Sequence, residues 1–462
     1  MFEATHDEAP SKRRLGDSLA VKLLTIGFLI LLLLIPLAMV RSLVAERQGR
    51  SQEAAAEVAA MWGGVQTLGG PVLTVPYRVW WKDSRRKVEA STQVAHFLPE
   101  RLHVAGELRP EQRRRGLFET VVYRSELRVS GAFRRPDFSG WEIAAGDVLW
   151  DQATVSLGVP DPRGIRQGVA LRWGSRDLQL EPGAGEAGLW KVGLRAAAPG
   201  LATMETGPIP FALALGLNGS GRFEVLPFGK ETVVRLRSSW PHPSFAGAFL
   251  PEARTVSDRG FDATWRVSWF GRSYPQRWRS SEAENLVPET AVAASAFGVE
   301  LLVPADGYQK TERSLKYAVL FVALTFLIFF LCETFNPFAL HPVQYLLVGF
   351  ALCLFYLLLL ALSEVLSFGT AYAVAATATV ALIGAYSAAA LQGWRRGALT
   401  AGVLGLLYGY LWGLLRAEDW SLLLGSVGLF LILALVMFLT RRIDWYAPRP
   451  RRRGTAAGGT AA

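Results

Sequence analysis

LLTIGFLILLLLIPLAMV, residues Leu23 to Val40, is apolar from end to end and carries no charge. At about 1.5 Å per residue it is long enough to cross a hydrocarbon core of about 30 Å. Lys12, Arg13 and Arg14 precede it, as in the basic start of a signal peptide. The run is longer than a signal's apolar region, however, and Arg41 to Arg50 offers no small-residue cleavage site. The stretch therefore reads as an uncleaved anchor with a cytoplasmic N-terminus.

Five more apolar segments follow near the other end: Tyr317–Cys332, Val343–Leu362, Thr370–Leu391, Ala398–Leu415 and Trp420–Leu439. The totals agree with a membrane protein, since 51% of the 462 residues are hydrophobic and only 19% charged. A formal net charge of +10 raises the question of nucleic acid, but many basic residues flank apolar segments, where they report orientation. Neither a nucleic-acid partner nor a cofactor is expected. Cys332 and Cys353 both fall in or at the end of apolar segments, so the polar region has no thiol for a disulfide or metal site. His6, His96, His103, His242 and His341 lack metal-ligand spacing, and no metal is expected.

An N-terminus inside puts Arg395, Arg396, Arg441, Arg442 and the RPRRR tail inside as well, in accord with the positive-inside rule. The segments then divide as 1–22 cytoplasmic, 23–40 first span, 41–64 stalk helix, 65–312 periplasmic β-rich domain, 313–440 membrane domain with spans two to six, and 441–462 basic cytoplasmic tail. The fold class expected is a bundle of six transmembrane helices, one N-terminal and five C-terminal, with a large sandwich-like β domain outside the cytoplasm.

Counting from Val343 at the inner face, the core is crossed by Leu362, so Glu364 emerges at the outer surface. It reads as an interfacial helix end, or as a contact to the outer domain or a lipid headgroup. Glu333 lies just past the inner end of its span. Within the spans no Asp, Glu, Lys or Arg is found apart from Lys22 at the margin, which weakens an ion-coupled transporter. Thr325, Tyr356, Tyr372, Thr377, Thr379 and Ser387 suit hydrogen bonds between helices, and the small residues of Ala373–Ala390 suit a central helix.

Ser42–Trp62 is rich in helix formers and stops at Gly63 and Gly64. Beyond it the dominant period is two. Trp265, Val267 and Trp269 alternate with polar residues, as do Val234 with Leu236 and Leu127 with Val129. This describes antiparallel strands with one wet face. Asp161-Pro162, Asn218-Gly219 and Asp306-Gly307 read as turns.

Three polar stretches could carry function. In SSWPHPSFAG (Ser238–Gly247) the prolines hold His242 on a rigid loop among serines. No G-x-S-x-G accompanies it, so a turn packing Trp240 and Phe245 competes with a ligand contact and with catalysis. RPEQRRRGLF (Arg109–Phe118) fits anionic headgroups or a solvated turn. Trp80 and Trp81 with Arg85, Arg86 and Lys87 fit a membrane-facing lip. The Gly-Gly in LGGPVLTVPY (Leu68–Tyr77) lacks the lysine and helix of a phosphate loop.

DGYQKTERSLKYAVLFVALTFLIFFLCE (306–333), HPVQYLLVGFALCLFYLLLLALSEVLSFGTAYAVAA (341–376) and LIGAY (382–386) resemble the CreD family of inner-membrane proteins. GGPVLTVPY, RRRGLF with VVY, and PHPSFAGAFLP add to the resemblance in the polar half. Where the family often has histidine after LSE, Val365 stands here. The resemblance implies an envelope-stress protein tied to β-lactam tolerance and envelope maintenance, with no established catalytic activity and no catalytic residue to carry over. Tyr308, Arg313, His341, Gln344, Tyr345, Glu364 and Tyr372 match its pattern and form a candidate functional or structural surface. The expected partners are membrane lipids, and peptidoglycan or another envelope protein. A lipid transporter or flippase and a periplasmic hydrolase using His242 are the rival functions.

Overall fold

The computed structural model describes residues 19–82, 88–183, 188–190, 192–203, 207–280, 287–303, 307–334, 340–417 and 420–441. Two compact units divide the chain: Arg50–Pro304, and the residues on either side of it.

The unit of residues 50–304 is built from strands. In chain order they are β1 (Gln66–Lys82), β2 (Val88–Phe97), β3 (Arg101–Arg115), β4 (Phe118–Phe133), β5 (Thr154–Gly158) and β6 (Ala170–Trp173). Then come β7 (Arg176–Gln179), β8 (Glu181–Pro182), β9 (Gly193–Ala197), β10 (Ile209–Ser220), β11 (Arg222–Val225) and β12 (Glu231–Ser238). The last are β13 (Pro243–Gly247), β14 (Ala253–Ser257), β15 (Gly260–Ser268), β16 (Arg277–Ser280) and β17 (Phe297–Leu301). One sheet runs β14-β15-β12-β3-β4-β10-β6-β7, and the other β13-β17-β11-β1-β5-β9-β8, with β2 on β1 and β16 on β2.

The expected alternation holds where it was read. Val234, Leu236, Leu127, Val129, Trp265 and Val267 are all buried, and they enter one core with residues of the other sheet. Tyr123 on β4 meets Phe223 on β11 at 6.4 Å between ring centroids, and Trp265 on β15 meets Phe297 on β17 at 5.9 Å. Shared burial between two inner faces is the packing of a sandwich.

The details depart from the sequence reading in four places. Trp269 lies past the end of β15, in a short helical turn. Two pairings, β1 with β11 and β12 with β3, are parallel, because a period of two fixes which face is buried and says nothing of strand direction. Asn218-Gly219 makes no turn. Both residues lie inside β10, paired with Arg124 and Tyr123, and a Cβ at Gly219 would fall 2.3 Å from the Tyr123 hydroxyl. The glycine is explained by the close approach of that ring. Finally, the arginine run of β3 is not left as a solvated turn. Arg113 lies 4.7 Å and Arg124 of β4 5.3 Å from the Trp62 ring, and Arg115 pairs with Glu57 at 2.5 Å.

The other unit is helical. Helix α1 (Leu19–Trp62), whose residues from Arg50 onward belong to the β-rich unit, continues without a break through the expected boundary between span and stalk, with Pro36 inside it. The short α2 (Glu289–Ala293) belongs to the β-rich unit. Next are α3 (Gly307–Lys316), α4 (Ala318–Thr334), α5 (Pro342–Ser363), α6 (Phe368–Ala390), α7 (Trp394–Arg416) and α8 (Ser421–Thr440). The expected domain boundary after residue 312 moves to 304/305, because α3 buries Tyr308, Thr311, Ser314 and Leu315 among the helices.

Val21–Trp62, α5, α6 and α7 are long and apolar enough to span a membrane, and the pair α3 and α4, bent by 48°, counts as a fifth candidate. A shorter apolar stretch, Leu422–Phe438, lies in α8. The span expected at Tyr317–Cys332 thus begins at a bend, where the polar α3 gives way to the apolar α4.

Helix α6 packs against both α5 and α7, as its small residues suggest. The hydroxyls behave differently from expectation. Thr325, Thr379 and Ser387 each donate to the carbonyl four residues back in their own helix. A side chain that short reaches its own helix more easily than a neighbour. Tyr372 has the length to cross, and donates to the Tyr408 carbonyl at 2.6 Å.

Candidate functional site

The candidate surface separates along α5 into two polar ends. With 22 residues at about 1.5 Å each, the helix holds them about 33 Å apart.

At the start of α5, His341 is the N-cap. Its Nδ1 accepts from the Val343 N–H at 3.3 Å while the His341 N–H donates to Gln344 Oε1 at 2.9 Å. These two residues form a capping box, which satisfies amides that the first turn leaves open. One turn on, Tyr345 donates to Glu333 Oε2 at 3.2 Å, and the Leu340 N–H donates to Glu333 Oε1 at 3.2 Å. Lys22 of α1 completes the group with an ion pair to the same carboxylate. The Glu333 side chain is fully buried and that of Lys22 is 18% exposed.

Glu333, expected just past the inner end of its span, is thus enclosed by protein together with Lys22 at the margin of the first span. Glu333 sits in the last turn of α4 rather than past its end, and the chain returning through Leu340 into α5 covers it. Two opposite charges flanking separate apolar runs were the available signal. Their meeting across 311 residues of sequence was not.

At the far end, Glu364 is the C-cap of α5. Its Oε1 accepts from the Tyr308 hydroxyl at 3.1 Å and lies 3.6 Å from Arg47 Nε of α1. Arg313, on the same short helix as Tyr308, is half-buried. Tyr372 belongs to an aromatic group, 5.1 Å from Trp412 and 5.7 Å from Phe355 between ring centroids. That group braces α5, α6 and α7 against one another. Val365, directly after Ser363 and Glu364, is 78% exposed.

His242 belongs to neither end. Its side chain is exposed, and its carbonyl accepts from Leu302. Trp240 is buried, with its indole N–H donating to the Leu302 carbonyl, and Phe245 meets Phe261 and Trp265 edge-on. Among the described residues no hydrogen bond joins His242 to a serine or a carboxylate, so the geometry is that of a turn seating two aromatic rings. Trp80 and Trp81 are exposed, and Trp80 donates to Asp147 at 2.8 Å. Arg85, Arg86 and Lys87 lie outside the described residues, as do Asp306 and the basic tail.

Sequence reasoning overlooked a buried histidine. His96 of β2 is fully buried, with Nδ1 3.0 Å from Thr74 Oγ1 and Nε2 2.8 Å from Ser280 Oγ. Burial pushes its pKa down to about 4. Among the described residues no group of three His, Cys, Asp or Glu could hold a metal.

A family model described as inner membrane protein CreD matches residues 18–446. The chain is also 38% identical over 427 residues to the inner membrane protein CreD of Escherichia coli (strain K12), covering 90% of this chain and 92% of that protein. The chain belongs to the CreD family. Family membership and the apolar helices together make it a multi-pass protein of the inner membrane, with a large two-sheet region between its first apolar helix and the rest. In this CreD family member the matched stretch takes in both polar ends of α5 and His96.

Proposed function

We propose that this protein is a non-enzymatic component of the inner membrane that supports envelope integrity and tolerance of envelope stress, including β-lactams. Its β-rich unit contacts an envelope component on the periplasmic side, and six spans hold it there with both termini in the cytoplasm. The observation that carries this reading is the size and position of the β-rich unit. It occupies residues 50–304, bounded on both sides by apolar helices, so an inserted domain of this size is the main feature the protein offers to its surroundings. The orientation is supported by Arg395 and Arg396 at the start of α7 and Arg441 at the end of α8, which fall on the opposite side from the β-rich unit if every apolar helix crosses.

Deleting the gene and measuring sensitivity to detergents, β-lactams and osmotic shock tests the proposal. Sensitisation that is reversed by the full chain, and not by one lacking residues 66–301, supports it. Unchanged sensitivity under every stress counts against it.

One observation favours a second reading, transport of a lipid-like substrate. The Lys22–Glu333 pair is buried among the helices, and buried ionisable groups in membrane bundles often belong to transport paths. Reconstitution into liposomes with fluorescent lipids separates the two. Scrambling that Glu333→Gln abolishes supports transport, and its absence leaves the pair a structural clasp.

A further inference from the structure

In the nine-stranded sheet, three glycines stand side by side on adjacent strands. Gly69 of β1 pairs with Gly158 of β5, and Gly158 pairs with Gly193 of β9. A Cβ would lie 3.2 Å from the Trp190 indole if added at Gly69, 2.7 Å at Gly158 and 3.1 Å at Gly193. The indole is therefore laid along a floor from which side chains are missing. Phe228 stacks beside it at 6.0 Å between centroids, with planes 25° apart.

Trp190 forms part of the wall of a cavity of about 380 Å³, within the size range of small-molecule sites. Leu189, Leu226, Val292 and Pro160 supply apolar wall. Two acidic residues, Glu224 and Glu289, are among its lining residues, and no Lys, Arg or His is among the described ones. Glu224 is held in place by the Thr67 hydroxyl at 3.3 Å and is partly neutralised by Arg222 at 3.5 Å. Glu289 is exposed at the start of α2 and makes no ion pair among the described residues.

We propose that this cleft binds a small amphipathic cation, an ammonium group carried on a compact apolar body. The body fills the apolar wall beside the indole, the cation sits by the two acidic side chains, and an anion is repelled. Uncharged ligands lose the electrostatic part of the attraction. The inference supplies a ligand chemistry for the envelope contact proposed above and takes its physiological meaning from that reading. Binding to purified protein is measured apart from any phenotype, so a failed cleft and a failed envelope role are distinguishable.

The test uses the full chain in nanodiscs, labelled with 5-fluorotryptophan and followed by fluorine NMR. The Trp190 line among the 15 tryptophans is identified by its loss in Trp190→Phe, and isothermal titration measures the same affinities without assignment. The probes are matched in size: 2-phenylethylamine, 2-phenylethanol and phenylacetate. The amine is expected to shift the Trp190 line saturably, at least about fivefold more tightly than the alcohol, with no saturable response to phenylacetate. Glu289→Gln, at an exposed position, is expected to remove the preference for amine over alcohol. Equal binding of the three probes, no saturable response to the amine, or a preference unchanged in Glu289→Gln would each overturn the proposal.

Discussion

Glu333 and Lys22 differ in what each leaves behind when its partner is removed. Lys22→Met takes a cation away from a fully buried carboxylate, and loss of one partner from a buried pair costs about 3–5 kcal/mol. Glu333→Gln keeps a group that can accept from Tyr345 and Leu340, while Lys22, already 18% exposed, can extend towards water. Its cost is expected to be nearer about 1 kcal/mol. Thermal unfolding in detergent should therefore place Lys22→Met clearly below Glu333→Gln, and equal losses would mean that the pair is not buried as described. His96 sets a second residue-scale expectation. Its folded pKa of about 4 lies below its unfolded value, so the unfolded chain takes up the proton first as pH falls. The neutral histidine's contribution is complete above about pH 6.5 and is lost between about 6.5 and 4, to a total of about 3 kcal/mol. Comparing melting of the native chain with His96→Gln across that window checks the sign: the native chain should lose more stability on acidification. Both charges at the helical margins were visible in the sequence. Neither Glu333's enclosure nor the burial of His96 was, since each depends on segments far apart in the chain, α1 meeting α4 and β16 pairing with β2.

Elements were more legible than the contacts between them. Apolar runs without charge forecast the helices because length and hydropathy are local properties. Strand faces followed from alternation for the same reason. Pairing direction did not, nor did the fusion of span and stalk into one helix, because Arg41, Glu46 and Arg47 change the solvent that α1 prefers without breaking its backbone pattern. Packing between helices gives a prediction at this scale. A Cβ added at Gly349 of α5 would lie 2.2 Å from a methyl of Leu33 on α1 and 3.1 Å from the Phe326 ring on α4. Gly349→Val should push three helices apart and cost about 1–3 kcal/mol. Gly402→Val on α7, where nothing lies within 4 Å, is the control and should change stability by less than about 0.5 kcal/mol. Unfolding of the two variants in the same detergent decides between specific packing at Gly349 and a general intolerance of branched residues in glycine positions.

For the whole molecule, orientation is the property on which the proposed function depends, and it can be tested away from the candidate sites. The turn joining β14 to β15 carries Asp258 and Arg259, both exposed. Asp258→Cys, with Cys332 and Cys353 replaced by alanine, puts a single thiol on the β-rich unit far in sequence from any apolar helix. In cells whose outer membrane has been permeabilised, a membrane-impermeant maleimide should label this cysteine before lysis, and a cysteine at Arg395 only after it. The basic residues at Arg395, Arg396 and Arg441 argue for that result through the energetic preference that keeps arginine on the cytoplasmic side. The β-rich unit itself supplies no such evidence, since long domains cross largely regardless of their charge. Labelling in the reverse order would put the two-sheet unit in the cytoplasm, where it could touch neither peptidoglycan nor any other periplasmic partner. The envelope contact would then fall even if deletion of the gene sensitised the cell, whereas the amine-binding cleft, measured on purified protein, would stand or fall by itself.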